Sequence, residues 1–264
     1  MLLYTNGFTE GYNEVINVDG NGKVMMMDVA ILKLSAGNSY EHFEDKKEAA
    51  FLPLSGKMNF AFNGVTRTAE RNSVYTEVPY CLHVSKNTRV VVTAETDCEV
   101  YIQRSYCDNE WEPVWYNPED VRCGITGKGV LDDTMHRNVR TIFDYDNAPY
   151  SNMVLGEVIS LPGRWSGYPP HNHPQPEAYY YRFDHPQGFG AGFVGENVYK
   201  LKNDSILLIT PNETHPQVTA PGYAMLTIWG IRHLDGNPWI NTRTEKPEHQ
   251  WMLKPGAEAE IFHE

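Results

Sequence analysis

Nowhere along this chain do apolar residues keep the three-to-four spacing of a long amphipathic helix. Short β-rich runs recur instead, at 24–34, 50–54, 58–62, 89–94 and 99–103, and again at 152–161, 178–183, 205–210 and 224–231. Glycine (21) and proline (17) punctuate them as turn residues. Many short strands separated by turns can bury their apolar faces only as sandwiches or small barrels. The fold class is therefore all-β, and 41% apolar with 12% aromatic residues is enough to build its core.

The chain also reads as duplicated. Leu32-Lys33-Leu34-Ser35-Ala36-Gly37 in the first half matches Ile159-Ser160-Leu161-Pro162-Gly163 in the second. Arg71-Asn72-Ser73-Val74-Tyr75 precedes His83 much as Lys202-Asn203-Asp204-Ser205-Ile206 precedes His215. Residues 112–138, with Pro113, Pro118, Gly124, Gly127 and Gly129, form a turn-rich connection. The expectation is two barrel-like domains, 1–125 and 126–264, with a proline-containing tail at 245–264 that wraps back on the body.

The second half carries a constellation. His171 and His173 stand two apart in Pro169-Pro170-His171-Asn172-His173, Glu177 follows, and His215 comes after the apolar run ending at Thr210. Residues i and i+2 of a strand share a face, so both imidazoles can enter one pocket. Three imidazoles and a carboxylate suit one divalent transition metal with positions left open for a substrate. Zinc is the expected ion, with manganese or iron as alternatives. Tyr179 and Tyr181 share the parity of Glu177 and are expected on the same interior face, as proton donors or as core. The corresponding stretch of the first half, Tyr40-Glu41-His42-Phe43-Glu44-Asp45-Lys46-Lys47-Glu48, lacks the second histidine and brings two lysines. It reads as structural, although His42, Glu48 and His83 could gather.

A net charge of −12 argues against nucleic acid as a partner. Cys81, Cys98, Cys107 and Cys123 show no Cys-x-x-Cys spacing and read as free thiols of a reducing compartment. No signal-peptide pattern and no membrane-length apolar run is present, so the expected location is cytoplasmic.

The second half resembles a known family. The histidine–glutamate set resembles that of the cupins. Gly163-Arg164-Trp165-Ser166-Gly167-Tyr168-Pro169-Pro170-His171-Asn172-His173, Tyr179-Tyr180-Tyr181-Arg182-Phe183, Pro186-Gln187-Gly188-Phe189-Gly190, His215-Pro216 and Pro221-Gly222-Tyr223 resemble the bicupin uronate isomerases. That group includes 5-deoxy-glucuronate isomerase of inositol catabolism and 5-keto-4-deoxyuronate isomerase of pectin breakdown. The likeness is dense over about 137–240 and thin over the first 110 or so residues. The short His173–Glu177 interval is closer to the pectin-pathway enzymes, and the Tyr-Tyr-Tyr-Arg-Phe text to the inositol-pathway ones.

The resemblance implies two tandem cupin barrels, the second holding one metal through His171, His173, Glu177 and His215. It also implies an aldose–ketose isomerisation of a sugar acid and assembly as a homo-oligomer. The proton carrier would come from Glu177, Tyr179 or Tyr181, with His185 and Glu157 as weaker candidates. An arginine would take the substrate carboxylate. Arg182 is nearest in sequence but has the opposite parity to Glu177, and Arg140 and Arg232 are the other choices. Gln187 and Tyr223 are further substrate-binding candidates, and Trp165 and Tyr168 could wall the site. A cupin dioxygenase and a non-catalytic sugar-binding bicupin are the competing readings, because the barrel hosts many functions.

Overall fold

A computed structural model describes residues 1–262. The described residues hold strands and short 3-10 turns and no α-helix. None of their helical segments is long and apolar enough to cross a membrane.

A seven-stranded sheet lies in the second half. Its order is Leu2–Tyr4, Ser205–Ile209, Glu177–Phe183, Met225–Arg232, Met153–Ser160, Arg137–Phe143 and Arg122–Thr126. The first half repeats the central five: Cys81–Val84, Lys47–Phe62, Cys98–Tyr106, Asp28–Leu34 and Gly11–Ile16. The faint sequence duplication is thus plain in strand order. Two strands placed in 1–125 by the expected boundary join the second sheet. Leu2 pairs with Leu207, and Arg122 with Thr141. Each satisfies an edge that would otherwise leave backbone groups open.

Most expected strands form, with two differences. The runs at 50–54 and 58–62 are one strand, Lys47–Phe62, because the register shift between Pro53 and Ser55 lets the ladder continue through Gly56. The run expected from 24 begins only at Asp28, since Lys23–Met25 is a 3-10 turn closed by Met26 in the left-handed region.

Strand alternation sorts every central side chain between two buried faces. In Glu177–Phe183, Tyr179, Tyr181 and Phe183 enter the interior of the second half beside Val154, Val158 and Trp229. Ala178 and Tyr180 point the other way, into a core shared with Ile16, Val29, Ile31 and Leu52 of the first half. The first half has its own interior, built on Ala49, Phe51, Phe60 and Val92. The two sheets therefore pack face to face, each with a second apolar layer behind it.

Polar groups at this junction are paired. Glu157 is fully buried and accepts two bonds from Arg71, at 2.7 and 2.8 Å, and one from Arg140 at 3.1 Å. Glu48 receives Ser151 Oγ at 2.6 Å and the Asn152 amide at 2.7 Å, and lies 2.9 Å from His83 Nε2. Glu48 and His83 thus face the junction, whereas His42 packs edge-on against Phe51 in the first interior. Parity keeps the three from gathering, and the repeat does not place His83 as the counterpart of His215. His83 lies within a strand and His215 lies in a loop.

Two outcomes follow from this packing. Glu157→Gln leaves two buried guanidinium groups without their carboxylate and is expected to cost about 3–5 kcal/mol in urea unfolding. Burial pushes His42 and His233 down to about 4. An unfolded histidine takes its proton near pH ~6.5, so the unfolded state binds more protons below that pH. Stability should be full above about pH 6.5 and fall toward pH 4, by up to roughly 3 kcal/mol per histidine. Urea midpoints measured across that range should decline less steeply for His42→Phe than for the parent chain.

Candidate metal centre

Glu177 opens an inner strand of the second sheet, paired on one side with Ile209 and on the other with Ile231. A carboxylate in that position is held by two ladders. His215 sits in the loop after Ser205–Ile209. Gly167 lets that loop approach, since a Cβ there would lie 2.9 Å from the His215 carbonyl. His171 belongs to a two-residue strand, His171–Asn172, paired with Thr244–Glu245 of the tail. His173 is tied to the 210–216 loop by the Asn212 amide, which donates to its carbonyl at 2.9 Å.

All three imidazoles are fixed in the same way. Nδ1 of His171, His173 and His215 donates to the carbonyl oxygen of Pro169, Gln175 and Glu213, at 2.9, 3.0 and 2.9 Å. A carbonyl only accepts, so the Nδ1 position carries the proton and Nε2 presents its lone pair. Burial, with the neighbouring His215, pushes His171 down to about 4, and burial also lowers His215. Burial alone would raise Glu177, but contact with His173 and the other imidazoles outweighs it and holds the carboxyl below its usual range. His173 Nε2 and His215 Nε2 each lie 3.2 Å from Glu177 Oε2.

Ligand atoms of His173, Glu177 and His215 all fall within 4.8 Å of one another. Among the described residues no other group of three histidine, cysteine or acidic side chains gathers so closely. Lone pairs pointed at one another repel, and a cation placed among them removes the repulsion. The donor set therefore fits a divalent metal. His171 flanks the three, its ring set edge-on to His215 at 5.0 Å between centroids.

These side chains line a cavity of about 140 Å³ that also receives Arg137, Tyr179, Gln217, Thr227, Trp229 and Trp239. Gly156 makes room for Trp229, because a Cβ there would sit inside the indole ring. The tail, which in the structure leaves the sheet after Arg232 rather than at residue 245, closes one wall with Trp239, Asn241 and Arg243. It is held there by the 171–172 pairing and by the Lys246 amide, which donates to the Pro170 carbonyl.

Other candidates lie elsewhere. Tyr181 is buried behind the cavity with no partner for its hydroxyl. Arg182, as its parity requires, points to the junction and pairs with Glu99 and Asp204 at 2.7 and 2.8 Å. Arg140 and Glu157 are spent on each other, and Arg232 binds Ser105 Oγ. Gln187 lies in a loop beside Phe189 and Lys200, and Tyr223 packs on His185 and Phe189. Trp165 and Tyr168 meet at a tilted angle and line a neighbouring cleft with Trp251 of the tail. Sequence reasoning missed Arg137, Thr227, Trp229 and the tail residues. Thr227 and Trp229 oppose Tyr181 and Tyr179 across the ladder, so strand pairing was the signal that could have found them.

A family model described as KduI/IolB matches residues 2–252. The chain belongs to the KduI/IolB family. A relative of this family from Bacillus licheniformis, named 5-deoxy-glucuronate isomerase, is 26% identical over 272 residues, 94% of this chain and 96% of the relative. The crystal structure of an IolB-like protein from Salmonella typhimurium LT2 has a TM-score of 0.86 at 22% identity, covering 96% of this chain and 99% of that one. A Cupin 2 conserved barrel domain protein from Leptotrichia buccalis has a TM-score of 0.51 at 12% identity, over 87% and 92% of the two chains. These structural likenesses bear on the fold alone.

The pinned imidazoles give a direct spectroscopic expectation. In metal-free protein at neutral pH, long-range nitrogen–proton spectra should show His171 and His215 as neutral Nδ1-H tautomers. A dominant Nε2-H signal from either ring would contradict the geometry.

Proposed function

We propose that this chain is a metal-dependent aldose–ketose isomerase for a sugar acid, with 5-deoxy-glucuronate as the preferred substrate and 5-keto-4-deoxyuronate as the alternative. The observation that carries the reading is the convergence of His173, Glu177 and His215 in a cavity of a KduI/IolB chain. Curated relatives of nearly equal length carry the name 5-deoxy-glucuronate isomerase. The repeated strand order and the two separate interiors support two tandem cupin barrels, the second of them catalytic. The four unpaired cysteines accord with a reducing, cytoplasmic compartment, and assembly as a homo-oligomer is part of the proposal.

Aldose–ketose exchange moves a proton between adjacent carbons while carbonyl and hydroxyl trade places. A divalent ion, zinc in our reading, held by His171, His173, Glu177 and His215 would supply a Lewis acid for those two oxygens. The chain supplies the rest. Burial and the Glu177 carboxylate push the Tyr179 phenol well above its usual range, so it can donate a hydrogen bond into the cavity but is too weak an acid to be an efficient proton carrier. Trp229, Trp239 and Ile231 line the cavity and exclude water from the reacting carbons.

Metal-replete protein should convert 5-deoxy-glucuronate to its ketose, followed by proton NMR, and should lose that activity on chelation. His215→Ala should carry less than about a tenth of the metal of the parent chain, in line with the loss of a direct ligand. Full turnover by strictly metal-free protein, or no conversion of either uronate, would refute the proposal.

A further inference from the structure

The cavity holds more unsatisfied polarity than a metal site needs. Arg137 is 7% exposed and donates one hydrogen bond, to the Met135 carbonyl at 2.9 Å. Among the described residues no carboxylate pairs with it. Other buried arginines are occupied: Arg71 and Arg140 by Glu157, Arg104 by Asp28 and Glu44, Arg182 by Glu99 and Asp204. Arg232 lacks a carboxylate but donates to Ser105, His233 and Tyr106. A buried guanidinium left open toward a cavity is costly unless an anion completes it.

Three further observations bear on what that anion is attached to. Arg243 of the tail lines the same cavity and uses its Nε on Glu245 at 3.1 Å, leaving the two terminal nitrogens free. Burial first and Arg243 second lower the basicity of Arg137, to about 10, so it is charged at neutral pH and the two cations feel one another. Four buried polar atoms of the cavity lining have no partner: Gln217 Oε1, Thr227 Oγ1, Trp229 Nε1 and Trp239 Nε1. Buried polar groups are normally satisfied, and four orphans around one space mark hydrogen-bonding positions kept for a ligand.

We propose that Arg137, assisted by Arg243, anchors the carboxylate of a polyhydroxy monocarboxylate, whose hydroxyls are taken up by Thr227, Trp229, Gln217 and Trp239. The assignment rests on the sugar-acid isomerase reading and adds the substrate-positioning residues to it. It replaces Arg182, Arg140 and Arg232 as carboxylate partners. Strand parity explains the choice: Arg137 shares a face with Val139, which packs against the second interior, and Arg140 lies on the opposite face. The site is incomplete without the tail, which delivers Arg243 and Trp239.

Calorimetric titration of the metal-loaded chain with D-gluconate and with D-glucitol tests the anchor without requiring turnover. Gluconate should bind at least tenfold more tightly than glucitol. Arg137→Met should weaken gluconate about 100-fold, a loss in the range expected for truncating one partner of a buried charge pair. Glucitol affinity, metal content and melting temperature should stay near the parent values. Arg137→Lys should recover part of the affinity, and Arg243→Met should weaken gluconate by a smaller factor. If Arg137→Met still prefers gluconate, the metal or another group holds the carboxylate and the assignment is overturned. Equal or absent binding of both probes by the parent chain also overturns it. Turnover of 5-deoxy-glucuronate is followed in parallel. A parent chain that discriminates between the probes but converts no uronate retains the anchor and loses the isomerase reading.

Discussion

The organising constraint is a period of two applied to strands buried on both faces. In Glu177–Phe183 the odd-numbered residues enter the interior that contains the metal candidates, and the even-numbered ones enter the junction with the first half. The same alternation sends Arg137 to the cavity and Arg140 to the junction, Val158 to the cavity and Glu157 to the junction. A one-residue slip in any of these ladders would exchange the two sets and put charges into the apolar layers. The candidate metal ligands and the buried Arg71–Glu157–Arg140 ion pairs therefore occupy opposite sides of a single sheet.

That arrangement explains what the first half contributes. It holds no comparable ligand cluster among the described residues, yet its inward face builds the shared core and its Arg71 neutralises Glu157. Glu177 and Trp229 stand on adjacent strands in the middle of a sheet backed by that core, and Arg137 stands on the strand next to its edge. Rigid backing of this kind fixes the Glu177 carboxylate, around which the imidazole nitrogens gather, and a preorganised site requires such support. The tail acts from the opposite side, pairing with the strand of His171 and contributing cavity wall.

Much of the site was legible in the linear chain because its metal-binding chemistry is local. His171, His173 and Glu177 fall within seven residues, and His215 follows the next apolar run in the sheet. Parity alone placed Tyr179 and Tyr181 on the face of Glu177 and turned Arg182 away. The residues that complete the cavity were not legible, because their nearness comes from ladder partners and chain return. Trp229 is set opposite Tyr179 by strand pairing, and Arg243 arrives through the two residue pairs that join 171–172 to 244–245 outside the seven-stranded sheet. The Lys47–Phe62 strand was read as two because glycine usually interrupts a ladder, and here it accommodates a bend within one.

By itself, the order of amino acids determined the all-β class, the duplication and the chemical character of the metal ligands. These depend on residue type and on spacings of two to seven residues, which backbone geometry converts directly into a shared face. Tertiary structure decided which strands of the first half join the second sheet, which arginine stays unpaired and which wall the tail supplies. Those outcomes depend on which buried charges find partners, and a partner such as Glu157 for Arg71, 86 residues away, exists only once the sheets have packed.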